Sequence, residues 1–81
     1  MPYIERWRRD QMREYDSPPK TCGELNYALS QEIQRYLERG EPGYQRFNDV
    51  IGVLECLKLE LFRRKVAPYE DVKIKQNGDV W

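Results

Sequence analysis

The run YQRFNDVIGVLECLKLELFRRKV, from Tyr44 to Val66, decides the fold. Phe47, Val50, Ile51, Leu54, Leu57, Leu61 and Phe62 recur in it at steps of three and four, so they share one broad stripe and predict a helix over 44–66. A flanking stripe carries Asn48, Gly52, Glu55 and Leu59, with Val66 at its end. The first stripe is apolar enough for the chain's own core. The second is too mixed for a core and too apolar for open solvent, and is assigned to contact with a partner subunit. Gly52 points the same way. An interior helix glycine costs about 1 kcal/mol relative to alanine, so a packing reason is expected, such as a second helix crossing close by.

Upstream, Thr21 and Glu24 form a T-x-x-E capping-box pattern, which opens a helix. Leu25, Ala28, Leu29, Ile33, Tyr36 and Leu37 follow at helical spacing, and Arg39-Gly40-Glu41-Pro42-Gly43 is a stop in which Gly40 suits the left-handed cap position. The helices over 21–39 and 44–66 are expected to pair as an antiparallel hairpin across Gly40–Gly43. A shorter helix precedes them from Ile4 to Tyr15. Its stripe is thin (Ile4, Trp7, Gln11, Tyr15), and Asp16-Ser17-Pro18-Pro19 ends it. Downstream, Pro68 suits the first turn of a short last helix. Glu70 and Asp71 suit the positive end of its dipole, and Asn77-Gly78 suits its end. The sequence shows no sustained alternation of period two, so only the tail Asp79-Val80-Trp81 is left as a place for a strand. The expectation is an all-α single domain over 1–81, with three main helices and a short C-terminal one, probing neighbours through Tyr3, Trp7 and Trp81 near its ends.

Composition sets bounds. A chain of 81 residues has a small core, and such domains add a disulfide, a metal or a partner subunit. The two cysteines, Cys22 and Cys56, are far apart and there is no histidine, which argues against a zinc site. A lone Cys22–Cys56 disulfide has no support, since the first residues lack the apolar core of a secretory leader. Oligomerisation remains, and the expected partner is the chain itself. No apolar run is long enough for a membrane span, so the cytoplasm is the default compartment. Fourteen basic residues balance fourteen acidic ones, which argues against a nucleic-acid-coating role.

Catalytic chemistry finds little to stand on. Without histidine the commonest general acid–base group is missing, and there is no Gly-rich phosphate loop. Cys22, in a first helical turn, reads as an ordinary cap-proximal residue more readily than as a reactive thiol. Glu55 reads as a boundary residue paired with Lys58 before it reads as a groove carboxylate. No cofactor and no metal is expected, and the chain is not read as an enzyme. Arginine and aromatic residues are more suggestive. Six tyrosines, two tryptophans and two phenylalanines could stack on flat rings, and arginine forks fit phosphate. Asn26, Tyr27, Arg63, Arg64 and Tyr69 are the candidate ligand-binding residues. The plainer account of Arg63 and Arg64 is that they complement a helix C-terminus.

The segments Met1-Pro2-Tyr3-Ile4, Leu25-Asn26-Tyr27, Asn48 through Glu55 with Lys58, Phe62-Arg63-Arg64, Pro68-Tyr69-Glu70-Asp71 and Asn77-Gly78-Asp79-Val80 together resemble a family of short bacterial and phage proteins. The resemblance carries no catalytic or ligand residues. It implies a stand-alone, plausibly phage-encoded protein, and by analogy of size and setting a sponge that sequesters a nucleotide immune second messenger, a cyclic nucleotide or a cyclic ADP-ribose derivative, at subunit interfaces. The alternative is a protein–protein interaction module that docks a host or phage protein.

Overall fold

The structure is a computed structural model that describes residues 3–81; Met1 and Pro2, which open both the resemblance and the segment judged not to be a leader, lie outside the described residues. Among the described residues all regular structure is helical and no strand occurs, so the tail from Asp79 is not one. In chain order there follow α1 (Arg6–Glu14), α2 (Cys22–Glu38), α3 (Tyr44–Leu61), a π turn (Phe62–Val66) and α4 (Ala67–Asn77). The chain falls into two compact units, Met1–Arg46 and Phe47–Trp81.

In the first unit α1 ends where Asp16 takes a left-handed backbone, φ 51°, a conformation that aspartate tolerates better than most residues. Pro18 and Pro19 keep the link non-helical until Thr21 caps α2. Thr21 Oγ1 accepts the Glu24 N–H at 3.1 Å, and Glu24 Oε1 accepts the Lys20 N–H at 3.0 Å. The capping box therefore forms, with its carboxylate reaching one residue further back than Thr21.

The buried side chains among the described residues are Arg8, Met12 and Tyr27. This corrects the expected inner face of α1. Arg8 and Met12, one turn apart, face inward, while Trp7 and Tyr15 of the expected stripe are exposed. The reason is polar. Arg8 Nη1 donates to Gln11 Oε1 and Ser17 Oγ, both at 2.8 Å, and Nη2 donates to the Pro18 carbonyl at 2.8 Å and to Glu24 Oε1 at 2.7 Å. One guanidinium thus ties α1, the Ser17–Pro18 link and the cap of α2 together, and a buried arginine with this many acceptors carries its charge without an unpaired penalty.

Gly40 is corrected as well. Among the described glycines only Gly78 has a positive φ. A Cβ at Gly40 would meet the guanidinium of Arg46. Arg46 donates to the Tyr36 carbonyl and lies over the Tyr36 ring, 4.1 Å from its centroid. No left-handed turn is involved at Gly40, and the flexible Arg46 head is its closest side-chain neighbour.

In the second unit the helix does not stop at Val66. The Ala67 N–H donates to the Phe62 carbonyl, five residues back, and the chain continues through Pro68 into α4. A proline inside an α-helix lacks the N–H and collides with the carbonyl four residues before it. The extra residue of a π turn relieves that collision at Arg64. Pro68 therefore diverts the helix and does not begin a separate one. α4 ends as Asn77-Gly78 predicts, with Gly78 at φ 89° and its N–H on the Ile74 carbonyl at 2.8 Å.

The largest correction concerns the stripe that was to build the core. No residue from Phe47 to Trp81 is buried; along the stripe Val50 is half-buried, while Leu54 and Ile51 are 41% and 65% exposed. This unit is one helical run, and a single helix cannot cover its own apolar face. Gly52 has open space around its would-be Cβ, so nothing within its own unit explains the glycine.

Candidate functional site

Two features of the surface are candidates for a site, one in each unit. The first is a groove of about 640 Å³ between α1, the Asp16–Pro19 link and α2. Its geometry follows from the local chemistry already described. The left-handed Asp16 turns the chain, Pro18 and Pro19 make a stiff wall, and Arg8 clamps that wall to α2. Met12 and Tyr27 form its apolar base, and Ala28, Gln31, Glu32 and Arg35 supply one face of α2 at helical spacing. Arg13 stands on the α1 side.

The charges of the groove are mixed: Arg13 and Arg35 against Asp16 and Glu32. Arg35 pairs with Glu32 at 2.8 Å, and Arg13 with Asp10 at 2.9 Å. Both are exposed neighbours on one helix, and such pairs hold their partners weakly. Arg8 differs, since its donors are spent within the fold. The groove can therefore take an amphipathic occupant with one acceptor-rich and one donor group. Glu24, behind the wall, has its carboxyl held below the ordinary glutamate value, first by the hydrogen bond from Arg8 and then by that from the Lys20 backbone.

The second feature is the exposed face of α3. Phe47, Val50, Leu54, Leu57 and Leu61 keep a strict three–four spacing over two heptads, the pattern of a helix that meets another helix. Lys58 Nζ lies 3.2 Å from a Glu55 carboxylate oxygen at the edge of this face, as the spacing suggested.

The candidate ligand residues divide between the units. Asn26 and Tyr27 belong to the first. Tyr27 is buried and also lines the groove, while the Asn26 carbonyl accepts the Ser30 hydroxyl at 2.7 Å. Arg63, Arg64 and Tyr69 belong to the second. Arg63 and Arg64 converge on Glu60 Oε1 at 2.7 and 2.5 Å, holding that carboxyl below its ordinary value. The Lys73 ammonium sits over the Tyr69 ring, 5.6 Å from its centroid. Of the residues assigned to a partner interface, Gly52, Glu55 and Leu59 are all exposed on α3, as is Asn48. Arg13 and Arg35 escaped the sequence reading. Their positions follow from where α1 and α2 meet, and only the α2 face that Arg35 shares with Ala28 was visible beforehand.

Both cysteines are free and exposed. Among the described residues no group of three or more metal-ligating side chains of the His, Cys, Asp and Glu types comes together. No described helix is long and apolar enough to cross a membrane.

The chain belongs to the family described as Domain of unknown function (DUF6899), whose model matches residues 1–80. No curated protein and no solved structure matches it.

Proposed function

We propose that this member of the family is a helical interaction module that assembles with a second copy of itself through the exposed face of α3. One observation carries this reading: the run Tyr44–Asn77 bears a heptad-spaced apolar seam and buries none of it. An isolated helix is marginal in water, and its stability comes from packing an amphipathic face. Homo-oligomers are the commonest way to supply that packing. An antiparallel pair suits the spacing: with the two-fold axis between Glu55 and Cys56, Leu54 of one copy faces Leu57 of the other and Val50 faces Leu61. The antiparallel hairpin of α2 with α3 belongs to the same proposal. Leu25 and Leu29 of α2 are each about half exposed, 50% and 48%, and two hairpins side by side would cover all four faces as a four-helix bundle.

Sedimentation velocity across a concentration series tests the proposal. Association in the micromolar range is expected. A monomer at every concentration up to about 1 mM, where an interaction of about 4 kcal/mol already registers, overturns it.

A second reading, sequestration of a nucleotide-derived ligand at an interface between copies, draws support from Arg63 and Arg64. Both are exposed and both lie in the π turn, a helix irregularity that recurs at functional sites. Such a protein would serve a phage by withholding an immune signal from its host receptor. Calorimetry against cyclic nucleotides and cyclic ADP-ribose derivatives should give saturable heat that an Arg63→Ala, Arg64→Ala double variant loses. A flat trace across the panel removes this reading and leaves the assembly module standing.

A further inference from the structure

The π turn decides which residues of α4 share a face with the α3 seam. In an unbroken α-helix, the positions that continue Phe47, Val50, Leu54, Leu57 and Leu61 at heptad spacing are Arg64, Pro68, Asp71 and Lys75. None of these suits an apolar contact. The π turn closes its ring on the fifth residue, with the Ala67 N–H on the Phe62 carbonyl, and so takes up one extra residue. Every later residue moves back by one position, a rotation of about 100°. The continuing positions become Lys65, Tyr69, Val72 and Gln76. Tyr69 and Val72 are both exposed. Arg64 is held on the flank, its Nε 2.5 Å from Glu60 Oε1.

Length makes this matter. The α3 part of the seam spans two heptads, and a coiled pair is marked by roughly three to four. With the phase corrected, the seam runs from Phe47 to Val72 and exceeds three heptads. It gains one aromatic and one aliphatic side chain in each copy, and burial of such groups is what drives association. A proline inside a helix is costly by itself. Here it keeps the seam on one face.

We infer that the second copy covers α4 as well as α3, and that the π turn before Pro68 sets the register of the pair. The inference rests on the assembly reading and moves its two-fold axis. With the axis level with Leu59, Leu57 of one copy faces Leu61 of the other, Val50 faces Tyr69 and Phe47 faces Val72. Leu54 meets the aliphatic stem of Lys65. This axis lies near the middle of the run Tyr44–Asn77, so almost its whole length is paired. An axis between Glu55 and Cys56 leaves α4 beyond Pro68 with no part of the partner's run beside it.

Dissociation constants of the full chain and its variants, measured by sedimentation, test the register. Pro68→Ala returns the run to a continuous α-helix and turns Tyr69 and Val72 off the seam. Its dissociation constant should rise by about tenfold or more, although alanine is a far better helix former than proline. Deleting Lys65 from the Pro68→Ala chain removes the extra residue, brings Tyr69 and Val72 back into phase and should restore the parent value to within about threefold. Tyr69→Ala should weaken the parent by about tenfold and leave the Pro68→Ala chain unchanged. If the parent assembles and Pro68→Ala assembles as tightly or more so, the register is wrong and the α3 seam survives. A weakened Pro68→Ala chain that the deletion fails to restore also overturns it, because the loss is then not one of phase. If the parent stays monomeric up to about 1 mM, this inference and the assembly reading fall together.

Discussion

The two units are held by opposite means. From Met1 to Arg46 the fold is organised around a charge: Arg8 joins one helix, one link and one helix cap through four hydrogen bonds, with Met12 and Tyr27 as its small apolar complement. From Phe47 to Trp81 there is no such centre. Backbone hydrogen bonds and exposed side-chain pairs, such as Glu55–Lys58 and Glu60 with Arg63 and Arg64, are what a single chain offers. The apolar residues are distributed the other way round. The polar unit has buried Met12 and Tyr27, and the unit richer in large aliphatic side chains has buried none. A small chain can thus satisfy its polar groups locally while leaving its main hydrophobic resource for association.

The contrast is broken most strongly by attacking the seam. Leu54→Glu with Leu57→Glu places two carboxylates on the centre of the α3 face. Dissociation constants should rise by about a hundredfold or more, as expected when central apolar anchors are lost. Helical ellipticity should fall with assembly, because a run without a partner is marginal. The Met12–Tyr27 region of the first unit should keep its near-ultraviolet signal. Loss of that signal in step with the rest would show that the two units do not differ in the way described.

The first unit is attacked through Arg8. Arg8→Met keeps bulk and removes every bond of the hub, stranding the Glu24 carboxylate beside the Pro18 carbonyl. A drop in Tm of roughly 10 °C or more is expected for a domain this small. Arg8→Lys should rescue little, since an ammonium cannot span four acceptors as a planar fork does. A variant that melts within 2 °C or so of the parent, a shift below about 0.5 kcal/mol, would remove the hub from the account.

These residues also show what was legible beforehand. The Thr21–Glu24 box, the Asn77-Gly78 stop and the helix spacing from Tyr44 are local patterns with local causes, and they stand in the structure. Arg8 could not be read, because its acceptor Glu24 is sixteen residues away and its other neighbours depend on the turn at Asp16. Gly40 was misread for a different reason. A glycine before a turn suits a positive φ, and only the path of the chain into α3 shows that Gly40 does not take one. The stripe of α3 was legible as a stripe, yet periodicity says that a face will be covered and not by which chain. The groove was half legible. Tyr27 was singled out, but Arg13 and Arg35 enter it through the packing of α1 on α2.

Acid should separate the units more gently. Glu24 is held below the ordinary glutamate value by Arg8 and the Lys20 N–H, so the folded state binds this proton less readily than the unfolded state. Its contribution is complete above the unfolded pKa and is lost as pH falls from there through the lowered folded value. Thermal melts of the first unit, followed by near-ultraviolet dichroism, should lose stability across that acidic window. Glu24→Gln should flatten the slope. An unchanged slope in the variant would mean that other carboxylates govern the acid limb. Glu60 is shifted in the same direction by Arg63 and Arg64, but it is about half exposed, and solvent screening should leave its effect small.

The smallest change is the most discriminating between the two stripes of α3. Gly52 sits on the flank with Asn48, Glu55 and Leu59, and a Cβ added there meets nothing within 4 Å. If the partner copy covers only the Phe47–Leu61 seam, Gly52→Ala replaces a poor helix former on an open face and should stabilise the assembly by about 0.5–1 kcal/mol. If the partner lies against the flank, the added methyl meets its backbone and the sign reverses, since overpacking a close contact costs about 1–3 kcal/mol. Chemical denaturation at fixed protein concentration reads the sign directly. A stabilised variant assigns the interface to the seam and leaves the glycine free of any packing duty in the dimer. A destabilised one moves the interface onto the flank, and with it the reason a glycine interrupts this helix at all.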